Sequence, residues 1–209
     1  MKVVAIKGSP RKNGNTAFAL EVVGNVFREE GIDFEIIDIG GKRIHGCIAC
    51  NACFENQNGK CAITTDALND ALLKMKEADG IILASPVYYS GIAGTMKCFL
   101  DRSFYVAAAN GGWFRHKVGA SVVAVRRTGG SMTFNSLNHY LSISEMLLPS
   151  SNYWNVIHGL EPGDAARDEE GVQIMKVLGE NMVWMLKMRE LTKALEPAPA
   201  EKVFTNFIR

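Results

Sequence analysis

Four cysteines, Cys47, Cys50, Cys53 and Cys61, follow one another at steps of three, three and eight residues in a chain of 209. Thiolates spaced this way on a compact turn, with the fourth returning after a loop, suit the corners of a cubane [4Fe–4S] cluster. Structural zinc more often takes two separated pairs of cysteines. Zinc and a metal-free thiol/disulfide pair are the other readings of the spacing. Cys98, between Lys97 and Phe99, stands apart and reads as a small buried hydrophobe. His45, beside the cysteine segment, is the one histidine placed to matter. The four histidines pair with no serine or cysteine at hydrolase spacing.

A second set of residues points to a phosphate. Gly8-Ser9-Pro10-Arg11-Lys12-Asn13-Gly14-Asn15-Thr16 follows an apolar run and leads into a helical pattern. The segment carries neither G-x-G-x-x-G nor G-K-[ST], so it is neither a dinucleotide fingerprint nor a Walker loop. It offers hydroxyls, amides, a guanidinium and flexible glycines at a helix N-terminus, which is what a monophosphate dianion requires. The plainer reading makes Asn15 or Thr16 an ordinary helix cap. Farther along, Pro86-Val87-Tyr88-Tyr89-Ser90-Gly91 sets an aromatic pair between Pro and Gly, a surface able to border a flat heterocycle. A third segment, Arg126-Arg127-Thr128-Gly129-Gly130, could close the same crevice or be a solvated arginine pair.

The elements that must position these groups alternate. Strands are expected at Val3–Ile6, Phe34–Ile39, Ile81–Ala84, Val118–Val125 and Tyr153–Ile157. Helices are expected from Thr16 to about Glu30, from Asp66 as N-cap, at Gly94–Phe104, at Met132–Leu147 and from about Asp164 to Leu195. Ala17, Leu20, Val23 and Phe27 would face inward on the first helix, and Met175, Leu178, Met182 and Met185 would form a core or subunit-contact stripe on the last. Strict alternation predicts an α/β, flavodoxin-like, doubly wound five-stranded parallel sheet, order 2-1-3-4-5, with helices on both faces. Residues 1–195 form one domain in this reading, with a Cys-rich insertion at 45–63 and a tail at 196–209 that packs on a neighbouring surface or partner subunit. Ligands in such sheets bind where the strand order reverses, between strands 1 and 3. Both loops singled out above end there.

Composition sets the class. The net charge is +1 with 22% charged residues, so no nucleic-acid partner is expected. No apolar stretch spans a bilayer, and the first residues read as a strand rather than a signal peptide. A cytoplasmic protein follows, in which five cysteines are no disulfide framework.

The segments GSPRKNGNT, SPVYYSGIAGTMKCFLDR and AVRRTGG resemble the NADPH-dependent FMN reductase superfamily, and within it the iron–sulfur flavoproteins, over about residues 1–160. The resemblance implies FMN phosphate held by Ser9, Arg11, Asn13, Asn15 and Thr16. It implies a flavin ring contacted by Pro86, Val87, Tyr88, Tyr89 and Gly91, with Thr128, Gly129 and Gly130 nearby. It also implies a [4Fe–4S] motif at Cys47, Cys50, Cys53 and Cys61, and a homodimer or homotetramer. The expected function is an FMN-dependent oxidoreductase moving electrons between NAD(P)H, a transient donor, or a small carrier such as ferredoxin, and an acceptor. No side chain is expected to act as catalytic acid or base, because flavin chemistry resides in the cofactor. The alternatives are a quinone, azo or nitro-compound reductase without a cluster, and a flavin/thiol redox sensor.

Overall fold

The structure is a computed structural model and describes residues 1–205 and 207. Five parallel strands form the sheet: β1 (Lys2–Lys7), β2 (Asp33–Asp38), β3 (Gly80–Tyr88), β5 (Val118–Val125) and β6 (Val156–His158), in the order β2-β1-β3-β5-β6. The expected doubly wound order is therefore present. The strand count is corrected by a sixth, β4 (Gly91–Ile92), which turns back antiparallel on the end of β3. Its hairpin loop, Tyr89-Ser90, is too short to resolve in an alternating-strand pattern.

Alternate residues of each strand face opposite sides, as the two-residue period of a strand demands. Val4, Ile6, Ile81, Leu83 and Val123 enter one core with Leu68, Leu72, Met75, Phe99 and Leu100 of α3 (Leu68–Glu77) and α4 (Gly94–Ala109). Val3, Ala5, Ile82, Val122 and Ile157 enter the other, with α1 (Asn15–Glu29) and α6 (Glu169–Thr192). On α6 the expected Met175, Leu178 and Met182 are buried in that second core, with Met185 packed at its edge. Both faces being covered explains why the strands read as continuous apolar runs.

Several expected boundaries change. Asp66 is not the cap of α3; Ala67 holds that position, and the Asp66 carboxylate is drawn to Arg102. The last strand starts at Val156, because Tyr153 and Trp154 lie exposed and only Asn155 turns in to meet β5. The last helix is broken at Asp168, whose Oδ1 accepts the Gly171 N–H at 3.0 Å and starts α6 after a short 3-10 turn. Helix α5 (Gly130–Ile143) begins two residues early, so Gly129 is its cap and Gly130 its first residue. A short α2 (Ala52–Asn56) interrupts the cysteine segment. At the start of the tail, Pro197 O accepts from Arg115 at 2.9 Å and Glu196 pairs with Arg189, while residues 199–205 are exposed. The end of the expected tail, positions 206, 208 and 209, lies outside the described residues.

Candidate functional site

The loop after β1 is built around a buried cation. Lys7, 3% exposed, donates from Nζ to Ser9 O at 3.0 Å and Arg11 O at 3.1 Å, and pairs with Asp38 at 2.8 Å. These bonds curl the backbone over the end of the sheet. Gly40 is a glycine because a Cβ there would stand 2.3 Å from Ser9 C and 2.4 Å from Ser9 O. The loop is tied to β3 by Gly8 N–H donating to Ala84 O at 2.8 Å.

Helix α1 then starts on Gly14 with no side-chain cap. Its first N–H groups consequently keep the positive end of the helix open to an anion. Thr16, 1% exposed, borders this opening, and its hydroxyl makes no hydrogen bond within the described residues. The plain-cap reading thus fails for both candidates: Asn15 spends its Oδ1 on Ala165 N–H at 3.2 Å, 150 residues away, instead of on its own helix.

Ser9, Arg11, Asn15, Thr16, Pro86, Val87 and Tyr88 meet in one pocket of about 160 Å³. Arg126, from the third segment, joins them, while sequence reasoning missed three of the pocket's residues: Ala124, Gly159 and Leu160. Leu160 O accepts from Arg11 Nη1 at 3.1 Å, which orients the guanidinium across the mouth. No local signal marks Gly159 and Leu160; they arrive from beyond β6 through the fold. Asn13, Tyr89 and Gly91 do not line this pocket. Asn13 is exposed, and Tyr89 projects fully into solvent from a left-handed backbone, φ 55°. A bulky residue at positive φ is uncommon and clusters at functional sites. Thr128, Gly129 and Gly130 line a separate pocket of about 320 Å³ with Tyr153, Trp154 and His158. They remain close to the hairpin, since a Cβ on Gly129 would stand 3.0 Å from Val87 Cγ1.

The cysteine segment leaves β2 and packs against α4. All four thiols border one narrow cavity, of about 20 Å³, whose walls include Ile48, Ile63 and Val106. Cys47 and Cys50 are exposed, Cys61 is half-buried and Cys53 is buried. Burial pushes the Cys53 thiol up from its ordinary pKa, with the charges of Cys50 and Cys61 adding to the shift. Left-handed backbone at Ala49, Asn51 and Gln57 winds the segment tightly around the cavity. Arg102 donates from Nε to Cys61 Sγ at 3.3 Å. Among the described residues, no three His, Cys, Asp or Glu side chains gather closely enough to hold a single metal ion. Cys98 is half-buried and lies outside the cavity, although its Sγ is 3.8 Å from where a Cβ on Gly46 would stand. His45 contributes its backbone only, donating N–H to Asp66 at 3.0 Å and accepting from Arg102 at 3.1 Å.

A doubly wound sheet with an uncapped helix N-terminus at its switch point defines a flavodoxin-like protein. The chain matches the family "NADPH-dependent FMN reductase" over residues 1–161 and belongs to it, which makes it a flavin oxidoreductase. It is 38% identical to an iron–sulfur flavoprotein of Methanocaldococcus jannaschii over 195 residues, 90% of this chain and 98% of that one. An iron–sulfur flavoprotein of Archaeoglobus fulgidus is 33% identical over 208 residues, 93% of this chain and 98% of that one. Among solved structures, RosB with a bound riboflavin-phosphate intermediate aligns at TM-score 0.71 and 14% identity, over 100% of this chain and 92% of that one. An NAD(P)H:quinone oxidoreductase from Methanothermobacter marburgensis aligns at TM-score 0.64 and 16% identity, over 87% and 96%. These two likenesses speak for the fold. Among the described residues, no helix is long and apolar enough to cross a membrane.

Proposed function

We propose that the chain is a cytoplasmic FMN-dependent oxidoreductase exchanging electrons between NAD(P)H, or a small carrier such as ferredoxin, and an acceptor, with a [4Fe–4S] cluster on Cys47, Cys50, Cys53 and Cys61. The observation that carries the flavin half is the open N-terminus of α1 facing the unpartnered Thr16 hydroxyl and the Arg11 guanidinium in one pocket. Ser9, Arg11, Asn15 and Thr16 would hold the phosphate. Asn13, exposed at the rim, would have to turn inward to join them.

A pocket of about 160 Å³ is smaller than the roughly 300–1,000 Å³ of whole-ligand sites, so it suits the phosphate and sugar chain. The ring would then lie outward, over Pro86, Val87 and the exposed Tyr88 and Tyr89, with Gly91 and the Thr128, Gly129 and Gly130 loop beside it. Bound FMN supplies a ring that accepts two electrons as hydride and releases them singly. The chain's part is to hold the phosphate, leave one ring face open to a transient nicotinamide and bar neither edge. Exposed Trp154, Trp184 and Leu191 offer apolar surface that a homodimer or homotetramer would cover.

The spacing of the four cysteines favours a cluster over zinc. Tetrahedral zinc needs sulfurs converging to about 2.3 Å from one point. A cubane takes one thiolate at each corner, so its ligands ring a cage. Cys47, Cys50, Cys53 and Cys61 all line one cavity and would supply the four thiolates of the second arrangement. Arg102 adds the N–H···S bond that cluster sulfurs commonly receive.

The test is anaerobic purification with flavin, iron and sulfide quantified. About four iron and four sulfide per chain are expected, with one FMN. Each of the four Cys→Ser changes should remove most of the brown absorption and keep FMN, while Cys98→Ser should keep both. Stoichiometric zinc, or no metal after reconstitution with iron and sulfide, would sink the cluster and leave the flavin reading standing. In that case rapid NAD(P)H turnover on quinone, azo or nitro compounds becomes the function to assay.

A further inference from the structure

Arg102 lies on α4 with a side chain 1% exposed, and every N–H it carries has a partner. Arginine has five such donors. Nη1 donates to His45 O at 3.1 Å and to Asp66 Oδ2; Nη2 donates to Ile63 O at 3.0 Å and to Asp66 Oδ1 at 3.3 Å; Nε donates to Cys61 Sγ at 3.3 Å. His45 and Ile63 stand two residues outside the first and last of the four clustered cysteines. One guanidinium therefore fastens both ends of the segment to the helix and touches one sulfur. Asp66, 1% exposed, braces the same ends, because its carboxylate also accepts the His45 N–H at 3.0 Å and the Leu68 N–H at 3.2 Å.

Two physical consequences follow. A closed base pre-orders the segment before any metal arrives, so less chain entropy opposes binding. A charge-assisted N–H···S bond stabilises the more negatively charged state of the sulfur it reaches. The carboxylate partly offsets the charge, but it is bonded at the two Nη atoms and leaves the Nε bond directed at Cys61.

We propose that Arg102 is the positioning residue of the cysteine site: it clasps the segment closed and, through its Nε–H···Sγ bond to Cys61, sets the bound cluster's reduction potential upward. The inference rests on the [4Fe–4S] reading above. Lysine cannot reproduce it, since an ammonium lacks the planar fork that serves a carboxylate, two carbonyls and a sulfur together.

Arg102→Lys and Arg102→Gln, made in the full chain and purified anaerobically, test it by two measurements. Spectroelectrochemical titration should find the cluster harder to reduce in both variants by about tenfold in its redox equilibrium, 59 mV for one electron. Hydrogen exchange of the iron-free proteins should be faster at residues 45–63 in both, and unchanged in β1 and β3. Arg102→Lys, which keeps the charge, covers the case in which Arg102→Gln does not fold. A variant that keeps FMN but takes up no cluster is judged by exchange alone: faster exchange supports the clasp, equal exchange overturns it. Wild-type potential together with wild-type exchange overturns the proposal while leaving the cluster reading intact. A wild-type chain that takes up no iron and sulfide overturns the cluster reading itself, and the claim about potential with it.

Discussion

Thr16→Val should weaken FMN binding and leave the fold alone. The two side chains have nearly the same shape, and the Thr16 hydroxyl has no partner among the described residues, so no internal bond is lost. What disappears is one donor to a phosphate at a helix N-terminus. A hydrogen bond to a charged group contributes about 1.5–3 kcal/mol. At 1.4 kcal/mol per tenfold, that is roughly a 10- to 150-fold rise in Kd for FMN. Fluorescence titration of the flavin-free protein measures the loss. Riboflavin, which lacks the phosphate, is the internal control and should bind the variant and the parent alike. Equal weakening of both flavins would refute the assignment of this loop to the phosphate, as would a Kd for FMN within twofold of the parent.

Gly40→Ala should act on the same loop from behind: its Cβ would overlap the Ser9 carbonyl group, and displacing that backbone costs about 1–3 kcal/mol, visible as both a lower Tm and weaker FMN binding. A loss of stability with unchanged FMN affinity would mean that Ser9 does not shape the site. Asp66→Asn should cost about 3–5 kcal/mol at neutral pH, the range for breaking a buried ion pair. Burial alone would raise the Asp66 pKa, but Arg102 and the His45 and Leu68 amides outweigh it and hold the carboxyl below its ordinary 3.8. Its contribution is therefore complete above that pH and drains away as pH falls through the lowered value. The gap between parent and variant in denaturant melts should narrow only below pH 3.8; a gap that closes between pH 5 and 7 would contradict the sign.

Much of the molecule could be read before any coordinates. Strand–helix alternation carries the sheet order, because only a parallel sheet covered on both faces buries every such run. The polar loop between β1 and α1 was legible for a local reason: its donors are consecutive in sequence, and the helix that follows aligns their backbone. The cysteine segment was legible for the same reason, since its spacing is short-range.

What escaped the sequence is what depends on residues far apart. Nothing near Asp66 tells a helix cap from half of a buried pair; the choice was made by Arg102, 36 positions away on α4. Gly159 and Leu160 reach the pocket only because β6 docks beside β5 and returns the chain over the switch point. Asn13 and Thr16 look equivalent as polar loop residues, yet helix geometry turns Thr16 inward and leaves Asn13 in solvent. Residue type and short spacing are local properties, so the chain alone told which polar groups and which thiols lie within reach of one another. The tertiary structure alone decided which of them share a pocket and which cation holds the cysteines closed, because burial selects partners by distance in space, to which separation along the chain is indifferent.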